Sequence, residues 1–169
     1  SGGGVFCDDC DLSILASTFM DNTANDRGGA VHAYCPNRTF NVDGNSFQTN
    51  MATHGGAIST DGIPGPGPCA LTVQNTDFIT NEALGGGGHL HIANTDLTVN
   101  EALFTEGTAT DGGAIADFTN QRTMTFGSGT VFHDNQASDR GGAILTDRNP
   151  VSLSCPGCAL DDPDGVVFE

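Results

Sequence analysis

Six cysteines are the first residues whose types and spacing could do chemistry. Cys7 and Cys10, and Cys155 and Cys158, form two Cys-x-x-Cys pairs towards opposite ends, with Cys35 and Cys69 between them. Such pairs serve tetrahedral zinc, thiol–disulfide exchange or structural disulfides. No pattern of a thiol-reducing enzyme accompanies them, so all six are read as disulfide candidates in an oxidising compartment. His89 and His91 are spaced to project from one face of a strand as a metal pair, but no third ligand is evident. Asp26-Arg27 and Asp139-Arg140 read as solvated corner ion pairs. The acidic turns Cys7-Asp8-Asp9-Cys10-Asp11 and Asp161-Asp162-Pro163-Asp164-Gly165 offer Ca²⁺ only weak ligation, because neither has the ordered oxygen spacing of an EF-hand loop. No nucleophile elbow, P-loop or dinucleotide fingerprint occurs. The expectation is no catalytic residue, no metal site and no cofactor. Asn37-Arg38-Thr39 is a glycosylation sequon and makes Asn37 the modification candidate of a secreted eukaryotic chain.

The elements that would position these groups follow from a repeat. Phe19-Met20-Asp21-Asn22, Phe47-Gln48-Thr49-Asn50, Phe78-Ile79-Thr80-Asn81 and Phe132-His133-Asp134-Asn135 share F-x-x-N, and Phe104 occupies a fifth place where Gly107 replaces the Asn. Eight or nine residues after each Phe comes a glycine pair with an apolar follower. The pairs are Gly28-Gly29-Ala30-Val31, Gly55-Gly56-Ala57-Ile58, Gly87-Gly88-His89-Leu90, Gly112-Gly113-Ala114-Ile115 and Gly141-Gly142-Ala143-Ile144. Gly2-Gly3-Gly4-Val5 reads as a further copy. The Phe positions are 28, 31, 26 and 28 residues apart. Between each glycine pair and the next Phe lies a short alternating segment such as Thr39-Phe40-Asn41-Val42 or Leu97-Thr98-Val99.

A unit of three short strands and three corners cannot bury its apolar face alone, and stacked copies share one core. The expected fold is all-β: a single-stranded right-handed parallel β-helix of about six coils, forming one domain over residues 1–169. Six coils would rise about 29 Å at the usual strand spacing. Phe19, Phe47, Phe78, Phe104 and Phe132 would make an internal ring ladder. Asn22, Asn50, Asn81 and Asn135 would make a corner ladder, tolerating left-handed backbone while bonding the neighbouring coil. Ala30, Ala57, Ala114 and Ala143, each followed by Val or Ile, fit the alternation of faces along a strand. Stacking keeps the two Cys-x-x-Cys pairs about five coils apart, which disfavours zinc, and brings Cys35 near Cys69. The insertion Asp61-Gly62-Ile63-Pro64-Gly65-Pro66-Gly67-Pro68 falls in a corner, where recognition loops arise.

The coupled F-x-x-N and G-G-A-[ILV] motifs resemble the repeats of chlamydial polymorphic outer-membrane proteins and of large secreted right-handed β-helix proteins. The resemblance covers nearly the whole chain. It implies a surface-exposed β-helical passenger that acts in adhesion, and it brings no catalytic residues.

Composition narrows the class further. The chain has 169 residues, 24 Gly, 17 Asp, 13 Asn and 19 Thr, no Lys and a formal net charge of -16. Without basic side chains the electrostatic term that drives nucleic-acid binding is missing. No apolar run reaches the roughly 18 residues of a membrane-spanning helix, and no basic-then-apolar leader opens the chain. The chain starts in a glycine corner and stops two residues into what reads as another Phe motif, which suggests an excerpt or a stackable block. The expected function is a non-enzymatic extracellular shaft, filament or surface-adhesin segment. Its expected partners are copies of itself or flanking coils end to end, with a cell-surface receptor or glycan as further candidates. The alternative is a β-helix module that acts on acidic polysaccharide or binds a glycan or receptor.

Overall fold

The computed structural model describes residues 2–62, 67–118 and 122–146, with the backbone of Ser152–Ser154, Ala159–Asp161 and Val166–Phe168. Among these residues no helix occurs. The sequence dictates this: strand formers alternate over three to six residues, and Gly, Asn or Asp interrupts them before a helix could propagate.

The described strands form four parallel sheets in which each strand pairs with those one repeat before and after. The post-glycine sheet contains Val5–Asp8, Val31–Tyr34, Ile58–Asp61, Leu90–Ala93, Ile115–Asp117, Ile144–Thr146 and Val166–Phe168. The middle sheet contains Leu12–Leu15, Thr39–Asp43, Cys69–Gln74, Thr95–Asn100, Thr123–Phe126 and Ser152–Ser154. The phenylalanine sheet contains Thr18–Met20, Ser46–Gln48, Asp77–Ile79, Leu103–Thr105, Val131–His133 and Ala159–Asp161. The chain is thus a β-solenoid, with five turns from Val5–Asp8 to Ile144–Thr146 and another reaching Val166–Phe168.

To the three expected sheets the structure adds a fourth, short one: Met51–Ala52, Glu82–Ala83, Thr108–Asp111 and Gln136–Arg140. It lies between the Asn and the glycine pair, where the sequence reads as a corner. Met51, Glu82, Thr108 and Gln136 stand in register there, so the segment is extended and backbone-paired despite its polar composition.

Left-handed residues turn the chain. The first glycine of each pair has φ between 59° and 70°. A Cβ on Gly112 would sit 2.2 Å from the Ile115 carbonyl oxygen, so only glycine fits. At the Asn corner the left-handed residue is not the Asn, as the sequence reading has it. Asp21, Thr49, Thr80, Glu106 and Asp134, one position earlier, carry φ of 51° to 56°. The Asn is released from turning the chain, and its amide projects inward.

The alternation expected through the glycine corner also fails. Ala30 and Val31 are both fully buried in the core, as are Ala57 and Ile58. The reason is in the hydrogen bonds: the N–H groups of Ala30 and Val31 both donate to the Ala57 carbonyl, at 3.0 Å each. Two successive donors on one acceptor break the pleat, so two neighbouring side chains enter the same core.

Candidate functional site

The ring ladder forms as expected. Phe19, Phe47, Phe78, Phe104 and Phe132 are in register and stack with centroids 4.8 to 5.1 Å apart and planes within 7°. Beside it runs the amide ladder. Asn22 donates from its backbone N–H and from Nδ2 to Asn50 Oδ1, and Asn50 donates in the same two ways to Asn81 Oδ1. Three of the Nδ2 groups also reach back to a Phe carbonyl, Asn50 to Phe19, Asn81 to Phe47 and Asn135 to Phe104, whereas that of Asn22 donates to the Met20 carbonyl. These buried amides are satisfied along the solenoid axis.

Two departures from the repeat, His89 and Gly107, prove to be one feature. Gly107 leaves the ladder without an amide, and the His89 ring fills the gap, lying 5.9 Å from both Phe78 and Phe104. Asn81 Nδ2 donates to His89 Nδ1 at 3.0 Å, and His89 Nε2 donates to Asn135 Oδ1 at 3.1 Å. The ladder's direction assigns the tautomer: Nδ1 must accept and Nε2 must donate, so the ring is neutral. Burial lowers its pKa from 6.5 to about 3. The sequence reading that sets His89 and His91 on one strand face is therefore corrected. His89 precedes the strand, at the position where alternation breaks, and points inward, whereas His91 points outward.

A second inward polar ladder had no repeat signature to reveal it. Ser17 N–H donates to Asn45 Oδ1, Asn45 N–H to Thr76 Oγ1 and Asn45 Nδ2 to the Ile14 carbonyl. Its members are Ser, Asn and Thr rather than one residue type, so no ladder is legible in the sequence.

Cys35 and Cys69 are fully buried on adjacent coils with Cα atoms 5.1 Å apart, and Cys7 and Cys10 have Cα atoms 5.8 Å apart. Both separations suit a disulfide. Cys155 and Cys158 lie outside the described residues, as do 63–66 of the Pro-Gly insertion and 162–165 of the second acidic turn. Asn37 is exposed at a left-handed corner, φ 58°, with its backbone N–H donating to the Pro68 carbonyl at 3.0 Å. Among the described residues no three His, Cys, Asp or Glu side chains converge as a metal site.

The groups richest in chemistry gather on the outer face of the post-glycine sheet. Register places Phe6, His32, Ser59 and His91 in one row across four coils, with Asp8, Tyr34 and Asp61 beside it. Phe6 lies 5.3 Å from the His32 ring, and Phe118 lies 5.6 Å from that of His91. His32 Nε2 donates to Asp61 Oδ2 at 2.9 Å, and Arg27 Nη1 donates to Asp61 Oδ1. Burial opposes ionisation of Asp61, but the His32 hydrogen bond and the Arg27 charge outweigh it and hold the carboxyl below its usual range. The Ser59 hydroxyl lies 3.2 Å from His91 Nδ1, and the His54 ring meets His91 edge-on at 5.1 Å. Burial, then the charges of His54 and Arg27, lowers the pKa of His91 to about 3; burial, then Arg27, lowers that of His54. The Nδ1 atoms of His32 and His54 are buried without a hydrogen-bond partner.

The arginines do not simply pair with their chain neighbours, as the Asp-Arg dipeptides suggest. Arg27 pairs with Asp61, 34 residues on, and Arg140 forks onto Asp111 through Nε and Nη2 at 3.1 Å each, with Asp139 at 3.9 Å. Stacking brings a neighbouring coil, the following one for Arg27 and the preceding one for Arg140, closer to the guanidinium than the adjacent residue's side chain.

Residues 16–34 and 129–147 match the sequence model of the Chlamydia polymorphic membrane protein (Chlamydia_PMP) repeat. The resemblance drawn from the motifs holds. Each matched stretch spans one Phe, the following corner and one Gly-Gly-Ala pair, and in the structure these polymorphic-membrane-protein-like stretches lie near opposite ends of one continuous ladder. No curated protein and no solved structure matches the chain significantly.

Proposed function

We propose that this chain is a non-enzymatic shaft segment of an extracellular or cell-surface protein, built to stack coil upon coil. The observation that carries the reading is the directional amide ladder. Asn50, Asn81 and Asn135 each accept through Oδ1 from the coil before, and each ladder ring stacks on the next, so every coil is a template for its neighbour. A further F-x-x-N coil would continue the same bonds and the same ring stack. The resemblance to a membrane-protein repeat family from Chlamydia supports a surface location, and the Cys35–Cys69 pair supports an oxidising one.

Electron microscopy and sedimentation over a rising concentration series test the reading. Rods that lengthen in steps of about 29 Å are the expected result. Isolated short rods at every concentration would overturn end-to-end stacking between copies.

A further inference from the structure

A trough of about 390 Å³ opens on the outside of the solenoid, between the Asn corner and the fourth short sheet. Two rows line it across three coils. Asp21, Thr49 and Thr80, the left-handed residues of that corner, form one row, and Thr23, Met51 and Glu82, paired in register, form the other. The two acidic residues thus stand at diagonally opposite ends, two strand spacings or about 10 Å apart along the axis. Both are exposed, and Met51, 38% exposed, lies between them. The threonines are costly on backbone grounds. Thr49 and Thr80 have φ of 51° and 53°, a region that β-branched residues avoid and that Asp or Asn enters more easily. Other coils carry acids there, in Asp21, Glu106 and Asp134. Threonine keeps the middle of the trough neutral, and its hydroxyl protons are already committed. Thr49 Oγ1 donates to Asp21 Oδ1, and Thr80 Oγ1 donates to Glu106 Oε2 at 2.9 Å. Each of these hydroxyls therefore offers a ligand lone pairs and no proton.

We infer that the trough is a binding site for a linear aliphatic polyamine lying along the solenoid axis. Ammonium groups joined by methylenes match a trough that is anionic at both ends and apolar at its middle, with the ends held by charge-assisted hydrogen bonds. The methylenes lie against the thioether of Met51. The committed hydroxyls favour the same ligand, because an ammonium brings the protons that they lack. No cation of the chain answers these acids. Lysine is absent, and the four described arginines reach Asp61, Asp9, Asn94 and Asp111. Ca²⁺ fits poorly, because acids two coils apart cannot both close to the roughly 2.5 Å that its oxygen ligands require. The net charge of -16 draws any polycation towards the rod, and the trough then selects by spacing. The inference does not depend on whether the rods polymerise.

Calorimetric titration of the intact chain with putrescine, spermidine and spermine at physiological salt tests it. One spermidine per chain is expected, held several-fold more tightly than putrescine, which is too short to reach both acids. Asp21→Asn and Glu82→Gln, each checked for folding by circular dichroism, should each weaken spermidine about fivefold or more. Asp8→Asn and Asp77→Asn remove the same charge from exposed positions outside the trough and should leave the affinity within about twofold. The Met51 methyl resonance should shift during the titration, while that of Met124, buried in the core, stays. No saturable binding, equal losses from Asp8→Asn and Glu82→Gln, putrescine bound as tightly as spermidine, displacement by Ca²⁺ at matched ionic strength, or a static Met51 methyl would each overturn the site.

Discussion

At the scale of single residues, His89 and Gly107 are a matched pair. A Cβ added to Gly107 would stand 2.5 Å from His89 Nε2 and 2.4 Å from the Gly113 carbonyl oxygen, so the ring and an asparagine cannot share the space. His89→Ala leaves Asn81 Nδ2 with only its Phe47 bond, strips a bond from Asn135 Oδ1 and opens a cavity between two phenylalanines. The expected loss is about 3 kcal/mol, combining one to two lost buried hydrogen bonds with a cavity. Gly107→Asn alone should also destabilise, by overpacking. Combined, the two changes recreate the motif of the other coils, so the double variant should lose less than the sum of the singles by more than about 1 kcal/mol. Urea denaturation of the four proteins closes the cycle, and strict additivity would show that the ring is not a ladder member. Both residues are conspicuous in the sequence as breaks in the repeat. Their partnership is not, because they lie 18 residues apart and only coil stacking brings them together.

At the scale of elements, the sequence discloses what the period repeats and conceals what it does not. Phe and Gly ladders recur as one residue type and are legible, and so is the stacking of three strands. The Asn45–Thr76 ladder, the fourth short sheet and the outer aromatic strip mix residue types from coil to coil. They emerge only when register is known, and Phe6 and Phe118 bear no shared motif at all. The Cys35–Cys69 pair lies between these cases: spacing alone puts the two near one corner, and stacking makes them adjacent. A bond there would close a loop of 34 residues. Restraining that loop in the unfolded chain is worth about 3–4 kcal/mol on the loop-closure estimate. The Cys35→Ser, Cys69→Ser double variant should therefore lose stability by that order under oxidising conditions. It should match the unsubstituted chain once a reductant is present, and denaturation curves with and without reductant measure both arms.

At the scale of the whole molecule, two electrostatic effects oppose each other as pH falls. A net charge of -16 repels itself, and protonating carboxylates relieves it. His89 and His91, by contrast, are held neutral in the folded state with pKa values near 3, against about 6.5 when unfolded. Their contribution is complete above pH 6.5. Below that the unfolded chain takes up protons that the folded chain refuses, so stability falls until pH nears 3. Most carboxylates stay ionised down to about pH 5, so repulsion is scarcely relieved in the window where both histidines already act. The histidines should therefore win, with a loss on the order of 4 kcal/mol between pH 7.5 and 5. Salt separates the two effects, since it screens surface repulsion but not a buried ring. Added salt should raise stability at both pH values while leaving the acid-induced loss nearly unchanged, and His91→Gln should remove about half of that loss. A chain more stable at pH 5 than at 7.5 would mean that the rod's outer charge, not its interior imidazoles, governs its acid response.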